Sequence, residues 1–153
     1  MNIRFAPIIL LAVCLFACSD FNTNKMFAAH ATQATDGELK NLRGGHVSCL
    51  HCPMYFTFDA APTLVERIIV AHQLKQAGSL PAAAEELLEL VQRDASWWQL
   101  AELNAHDKIY WIHYSPKSVG LEPAFRLLVL RDGKAFFITS GHFVSESYLR
   151  DTA

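Results

Sequence analysis

Side chains able to do chemistry crowd into one short stretch of this chain, His46-Val47-Ser48-Cys49-Leu50-His51-Cys52-Pro53. Two thiols at C-x-x-C spacing can close on each other as a disulfide. With one thiol pKa lowered, they can instead exchange disulfides with another protein. His46, Cys49, His51 and Cys52 together offer two nitrogen and two sulfur ligands, a donor set that suits Zn²⁺ or Cu⁺. A closed zinc site usually draws on two separated ligand pairs, and this sequence has no second C-x-x-C. Haem attachment needs His directly after the second Cys, where Pro53 stands. A structural disulfide asks only for an oxidising compartment.

Other reactive side chains are scattered. His72 falls on the apolar stripe of a helical pattern and is expected to be a hydrogen-bonded, semi-buried residue. His113 alternates with Trp111 along a strand and is expected to pack. Ser140-Gly141-His142 lacks the G-x-S-x-G nucleophile elbow, and Glu102, Asp107 and Glu122 show no pairing that spacing supports. Neither a phosphate-cradling glycine loop nor a zincin helix is present, so no catalytic residue is assigned. The 153 residues are 52% hydrophobic and 18% charged, enough apolar content for one packed domain. A net charge of −2 leaves no basic surplus to neutralise phosphates, so nucleic acid is not an expected partner.

The N-terminus decides the compartment. Arg4 precedes 13 apolar residues, Phe5 to Ala17, too short a run to span a bilayer comfortably and typical of a secretory signal. Leu15-Phe16-Ala17-Cys18 resembles the bacterial lipobox, although Phe16 is bulkier than that family's usual residue. The resemblance implies cleavage before Cys18, diacylglycerol on its sulfur and an acyl chain such as palmitate on its amine. Several acyl chains hold a membrane stably where one does not. Ser19 rather than Asp follows the cysteine, which by the same resemblance favours the outer membrane over the inner. An oxidising, periplasm-facing location makes a Cys49–Cys52 disulfide the leading expectation. Cys-x-His-Cys also resembles the active-site spacing of periplasmic thiol oxidoreductases. In that family the motif opens a helix, whereas Pro53 and a strand-like run follow it here. Thiol redox or metal handling through this pair therefore stands as the alternative function.

These residues need a frame. Residues 1–17 read as signal peptide and 18–45 as a lipidated cysteine with a flexible tether. The largely polar stretch of 27 residues from Ser19 to Gly45 would span about 30 Å as a coil. Residues 46–153 read as a single domain. Met54 to Phe58 alternates as a strand does. Thr63-Leu64-Val65-Glu66 has capping-box spacing and opens a helix expected to end at Gly78. Leu80, Ala84, Leu87, Leu88 and Val91 form the stripe of a second helix. Ser96-Trp97-Trp98-Gln99 repeats the capping-box spacing and predicts a short third helix to about Leu103. Ile109 to Tyr114 is apolar on both faces, as an inner strand would be. Asp132-Gly133 between two apolar runs predicts a type I′ hairpin pairing Arg131 with Lys134, Val129 with Phe136 and Leu127 with Ile138. The sum is α+β: an antiparallel sheet of about four strands with two to three helices packed on one face.

The strand-then-helix opening, the Trp97-Trp98 pair, the aromatic strand and the Asp-Gly hairpin loosely resemble small, uncharacterised bacterial envelope lipoproteins. That resemblance implies no activity. Consecutive helical residues lie about 100° apart, so only one tryptophan of the pair can point at the core centre. The other is expected to reach a partner-binding surface beside the sheet edge, with the alternative that both pack, one on the helices and one on the sheet. The expected function is non-enzymatic protein binding in the periplasm, of inhibitor or immunity type, with no cofactor. Thiol trapping of protein taken directly from cells should find Cys49 and Cys52 oxidised. Because the loop they close is short, replacing both by Ser should cost about 1–3 kcal/mol or less. A reduced pair, or stoichiometric metal on the purified protein, would select the redox or metal alternative.

Overall fold

The computed structural model describes residues 22–47, 53–80, 82–100, 102–114 and 124–140. Cys18, Cys49, His51, Cys52, Glu122 and His142 lie outside them. The described elements are α1 (Thr23–His30), β1 (Arg43–His46), β2 (Met54–Asp59), α2 (Pro62–Ala71), β3 (Lys75–Ala77), α3 (Ala82–Asp94), β4 (Lys108–Tyr114), β5 (Ala124–Arg131) and β6 (Lys134–Ser140). The class is α+β as expected, but among the described residues the antiparallel sheet has six strands, not about four, ordered β1-β2-β6-β5-β4-β3, because β1 and the short β3 add to its two edges. Strands β3 to β6 are neighbours in chain order, with α3 inserted between β3 and β4. The β1–β2 hairpin joins them by pairing β2 with β6, so the first hairpin lies beside the last described strand.

The expected one-sided packing is corrected by the alternation of side chains along the central strands. Phe125, Leu127, Val129, Phe136 and Ile138 share one face with Leu88 and Val91 of α3. Leu128, Ala135, Phe137, Phe56 and Phe58 share the opposite face with Phe27 of α1 and Leu64 and Ile68 of α2. Consecutive residues Leu127, Leu128 and Val129 are all fully buried. Strands covered on both faces read as continuous apolar runs, as residues 127–130 do here, although β5 also buries the charged Arg126. The result is three layers, with α3 on one side of the sheet and α1 and α2 on the other.

The tether reading does not hold for residues 22 to 45. Asn22 caps α1, its side chain accepting from the Lys25 amide at 3.0 Å. Phe27 is fully buried, edge-on to Phe56 and Phe58 at 5.4 and 5.0 Å between ring centroids. The Gly44-Gly45 pair, a boundary by composition, is the middle of β1. Gly44 faces Phe56 and Gly45 faces Tyr55 in register. A Cβ on Gly44 would stand 2.6 Å from Phe56 Cδ1, and one on Gly45 would collide with the Tyr55 ring. The two glycines thus give way to two aromatic rings, one on each face of the sheet.

Three further expectations change. Helix α2 stops at Ala71, because Gln73 takes a positive φ of 53° and Lys75–Ala77 leaves to pair with β4. The Thr63 capping box does not form: Ala61 is the N-cap, Pro62 starts the helix, and the Thr63 hydroxyl donates to Glu38 Oε1 at 2.7 Å. Residues after Asp94 form a turn in place of a third helix, closed by the Trp98 amide donating to the Ala95 carbonyl at 3.0 Å. The Asp132-Gly133 hairpin is as expected. Both residues have positive φ, 49° and 75°, and the register pairs Arg131 with Lys134, Val129 with Phe136 and Leu127 with Ile138.

A segment that covers a sheet face differs from a tether in what its removal costs. Phe27→Ala should destabilise the protein by about 3–5 kcal/mol, the usual range for emptying a buried aromatic site. Urea unfolding of the full chain would measure it. A change below about 1 kcal/mol would show that α1 adds little to the fold.

Candidate functional site

The tryptophan pair lies where α3, the turn after it and the hairpin β1–β2 meet. Trp98 is core: 3% exposed, edge-on to Phe136 at 5.2 Å and to Tyr55 at 5.7 Å, with its indole N–H donating to the Leu100 carbonyl at 3.2 Å. Trp97 is half-buried, 5.7 Å from the Tyr55 ring and 6.2 Å from Trp98 between centroids. A turn directs the two side chains differently, as the helix reading required for other reasons. Tyr55 ties this corner together. Its hydroxyl donates to Asp94 Oδ2 at 2.6 Å, linking β2 to the end of α3. Burial, and then the Asp94 carboxylate, raise the Tyr55 pKa and keep the phenol protonated.

Over the Trp97 ring sits the guanidinium of Arg43, 4.7 Å from the centroid. The two residues bound a cleft of about 270 Å³ together with Asn41, Thr57, Gln99, Lys134 and Phe136. Thr57 and Phe136 are its buried floor, while Arg43, Asn41, Gln99 and Lys134 are exposed walls. The sheet aligns these parts: Arg43 pairs with Thr57 and Thr57 with Phe136, three strands in one row. The Thr57 hydroxyl is buried and has no hydrogen-bond partner among the described residues. Neither Arg43 nor Lys134 forms an ion pair among the described residues. The one carboxylate in register, Asp59, lies opposite Lys134 and accepts from Asn41 Nδ2 at 2.8 Å. The cleft therefore presents two cations and two amides around an indole. It is equipped to hold an acceptor group.

Of the candidate sulfur–nitrogen cluster, only His46 is described. It ends β1 as an exposed residue opposite Met54, with Nδ1 3.4 Å from the Val47 carbonyl. The Val47 amide donates to the Pro53 carbonyl at 3.0 Å, closing the mouth of the connection that carries Cys49 and Cys52. Other singled-out residues have structural places. Asp107 receives a two-armed contact from Arg131, with Nε to Oδ1 at 2.8 Å and Nη2 to Oδ2 at 2.5 Å. That contact, more than any other, lowers the Asp107 pKa. Glu102 contributes its backbone carbonyl to the same arginine. His113 is exposed on β4 and touches Phe125 at 6.5 Å between ring centroids, so the expected packing is slight.

His72 is hydrogen-bonded as expected but more deeply buried than a semi-buried place, 5% exposed just past the end of α2, with Nε2 2.6 Å from the Ala31 carbonyl and its ring 5.3 Å from Phe137. A carbonyl partner requires the proton on Nε2. Burial first, then the charge of Arg126, hold its pKa down at about 4, against 6.5 for a free ring. The unfolded chain thus takes up a proton between about pH 6.5 and 4 that the folded chain refuses. Stability should fall as pH drops through that window, by on the order of 3 kcal/mol from this ring. Glu38 and Asp107, whose pKa values are lowered, lose their contributions only as the carboxylate range is entered. Urea midpoints between pH 7 and pH 4 should show a shallower slope in His72→Gln than in the parent. An unchanged slope would remove His72 as its source.

No family model matches this chain, and no characterised protein or solved structure shows significant similarity to it. Its functional reading rests on the corner where Trp97, Arg43 and Lys134 meet.

Proposed function

We propose that this chain is an exported bacterial envelope lipoprotein, held at a membrane by acyl chains on Cys18, whose domain binds a protein partner and performs no turnover. The inhibitor or immunity role fits this reading, with the outer membrane as the preferred location. The lipobox-like Leu15 to Cys18 supports the anchor. Among the described residues, no helix is long and apolar enough to cross a membrane. The binding role is carried by one observation: a half-buried tryptophan stacked under an exposed arginine that forms no ion pair among the described residues, on the edge strand of the described sheet. Tryptophan and arginine dominate the energetically important positions of protein interfaces. Among the described residues β1 has no neighbour on its outer side, which places this corner at the edge of the described sheet.

The full chain, extracted in mild detergent, should carry an acyl label that Cys18→Ala abolishes with accumulation of uncleaved precursor. In pull-downs from envelope extract, Trp97→Ala should weaken capture of a specific partner at least tenfold while shifting the melting temperature by only a few degrees. Trp98→Ala is the contrasting variant. It should cost about 3–5 kcal/mol and reduce capture only in proportion to folded protein. Persistent labelling in Cys18→Ala would overturn the anchor. Equal capture by Trp97→Ala would overturn the binding surface.

A further inference from the structure

We propose that the cleft beside Trp97 is a socket for the carboxylate of an acidic side chain on the protein partner. The inference rests on the binding role proposed above and specifies the chemistry of its anchor point. Three observations carry it. Charge comes first. Arg43 and Lys134 flank the cleft, both exposed and neither in an ion pair among the described residues. Asp59, opposite Lys134 and hydrogen-bonded by Asn41, offsets one of the two cations and leaves the group with a net charge of +1. Preorganisation is second. Stacking on Trp97 at 4.7 Å holds the Arg43 guanidinium beside the cleft, and no described side chain or carbonyl occupies its N–H groups. A guanidinium so held is suited to two parallel hydrogen bonds with a carboxylate.

Size is third. About 270 Å³ is below the range of roughly 300–1,000 Å³ typical of pockets for small-molecule ligands. It suffices for a single side chain, whose methylenes would pass the edge of the Trp97 ring while the Gln99 amide and the second N–H of the Asn41 amide serve the remaining oxygen lone pairs. Placement at the sheet edge leaves room for the backbone that carries such a side chain.

The test uses N-acetyl-L-glutamate as the probe, with N-acetyl-L-glutamine as its neutral isostere and inorganic phosphate as a second anion. Full-length protein in non-ionic detergent, labelled with ¹⁵N at the tryptophan indoles, is titrated with each. The expected result is a saturable shift of the Trp97 indole signal with N-acetyl-L-glutamate, at least fivefold weaker with the glutamine analogue. The Arg43→Gln, Lys134→Gln double variant should abolish it while the Trp98 signal stays in place and reports an intact fold. Equal response to the charged and neutral probes, or a response that survives the double variant, overturns the proposal. A stronger response to phosphate than to the glutamate probe also overturns it, in favour of a phosphate-bearing ligand. Failure here is separable from failure of the binding role. If Trp97→Ala loses partner capture while the double variant keeps it, the surface is real and its anchor is not an acid.

Discussion

Every described element answers to the fact that β2, β6 and β5 are apolar on both faces. A sheet of that kind cannot leave either side to water. Leu127, Leu128 and Val129, all without exposed area, represent the demand in three consecutive residues. Burying such side chains is worth about 1.5–3 kcal/mol each, so an uncovered face would forfeit more than a small domain's net stability. Helix α3 and the turn after it, with Trp98 and Leu100, cover one face. The other needs two helices, and the chain finds the second one upstream of the sheet, in the segment around Phe27. The glycines of β1 follow from the same demand, because Phe56 and Tyr55 must lie over that strand on opposite sides.

Polar side chains then lock the covers in place. Glu38 accepts from Thr35, Thr63 and both oxygens' worth of Arg67, at 2.7 Å for each Arg67 contact, tying the segment after α1 to the start of α2. Those hydrogen bonds, from Thr35 first and Arg67 next, push the Glu38 pKa well below the ordinary range. Tyr55 and Asp94 do the equivalent work between β2 and α3. Arg131 and Asp107 fix the approach to β4, with the Asp107 side chain fully enclosed. Since the Tyr55 tie stands directly beneath Trp97, the candidate site inherits its rigidity from the core and not from its own exposed walls.

Local signals in the sequence were readable where one short stretch determines the outcome. Asp132-Gly133 needs nothing distant to form its turn, and the register of β5 and β6 follows from it. The stripe of α3 and the inner position of β4 are likewise local patterns. What local patterns hide is sidedness and partnership. Phe27 is one aromatic in a polar stretch, and its value comes from Phe56 and Phe58, far along the chain. Lys75–Ala77 is a strand only because Trp111 to Ile109 offers it hydrogen bonds. Two-sided burial was in fact inscribed in the apolar run at residues 127–130 of β5, a signal that alternation-based reading discounts. At the site, the tryptophan pair stood out by type. Arg43 and Lys134 did not, since nothing near them in sequence announces the indole they flank.

Asn22, as the cap of α1, also sets the geometry of any anchor. Only four residue steps separate it from Cys18, at most about 14 Å of extended chain. Acyl chains at Cys18 would thus act as a leash shorter than the domain is wide. Thr23 abuts Gly44, the neighbour of Arg43, so the leash joins the body close to the open edge of the sheet. A partner in the same membrane would then meet this edge by lateral diffusion in a thin layer, at an effective concentration far above its bulk value. Even a shallow socket with modest intrinsic affinity could stay occupied under that confinement.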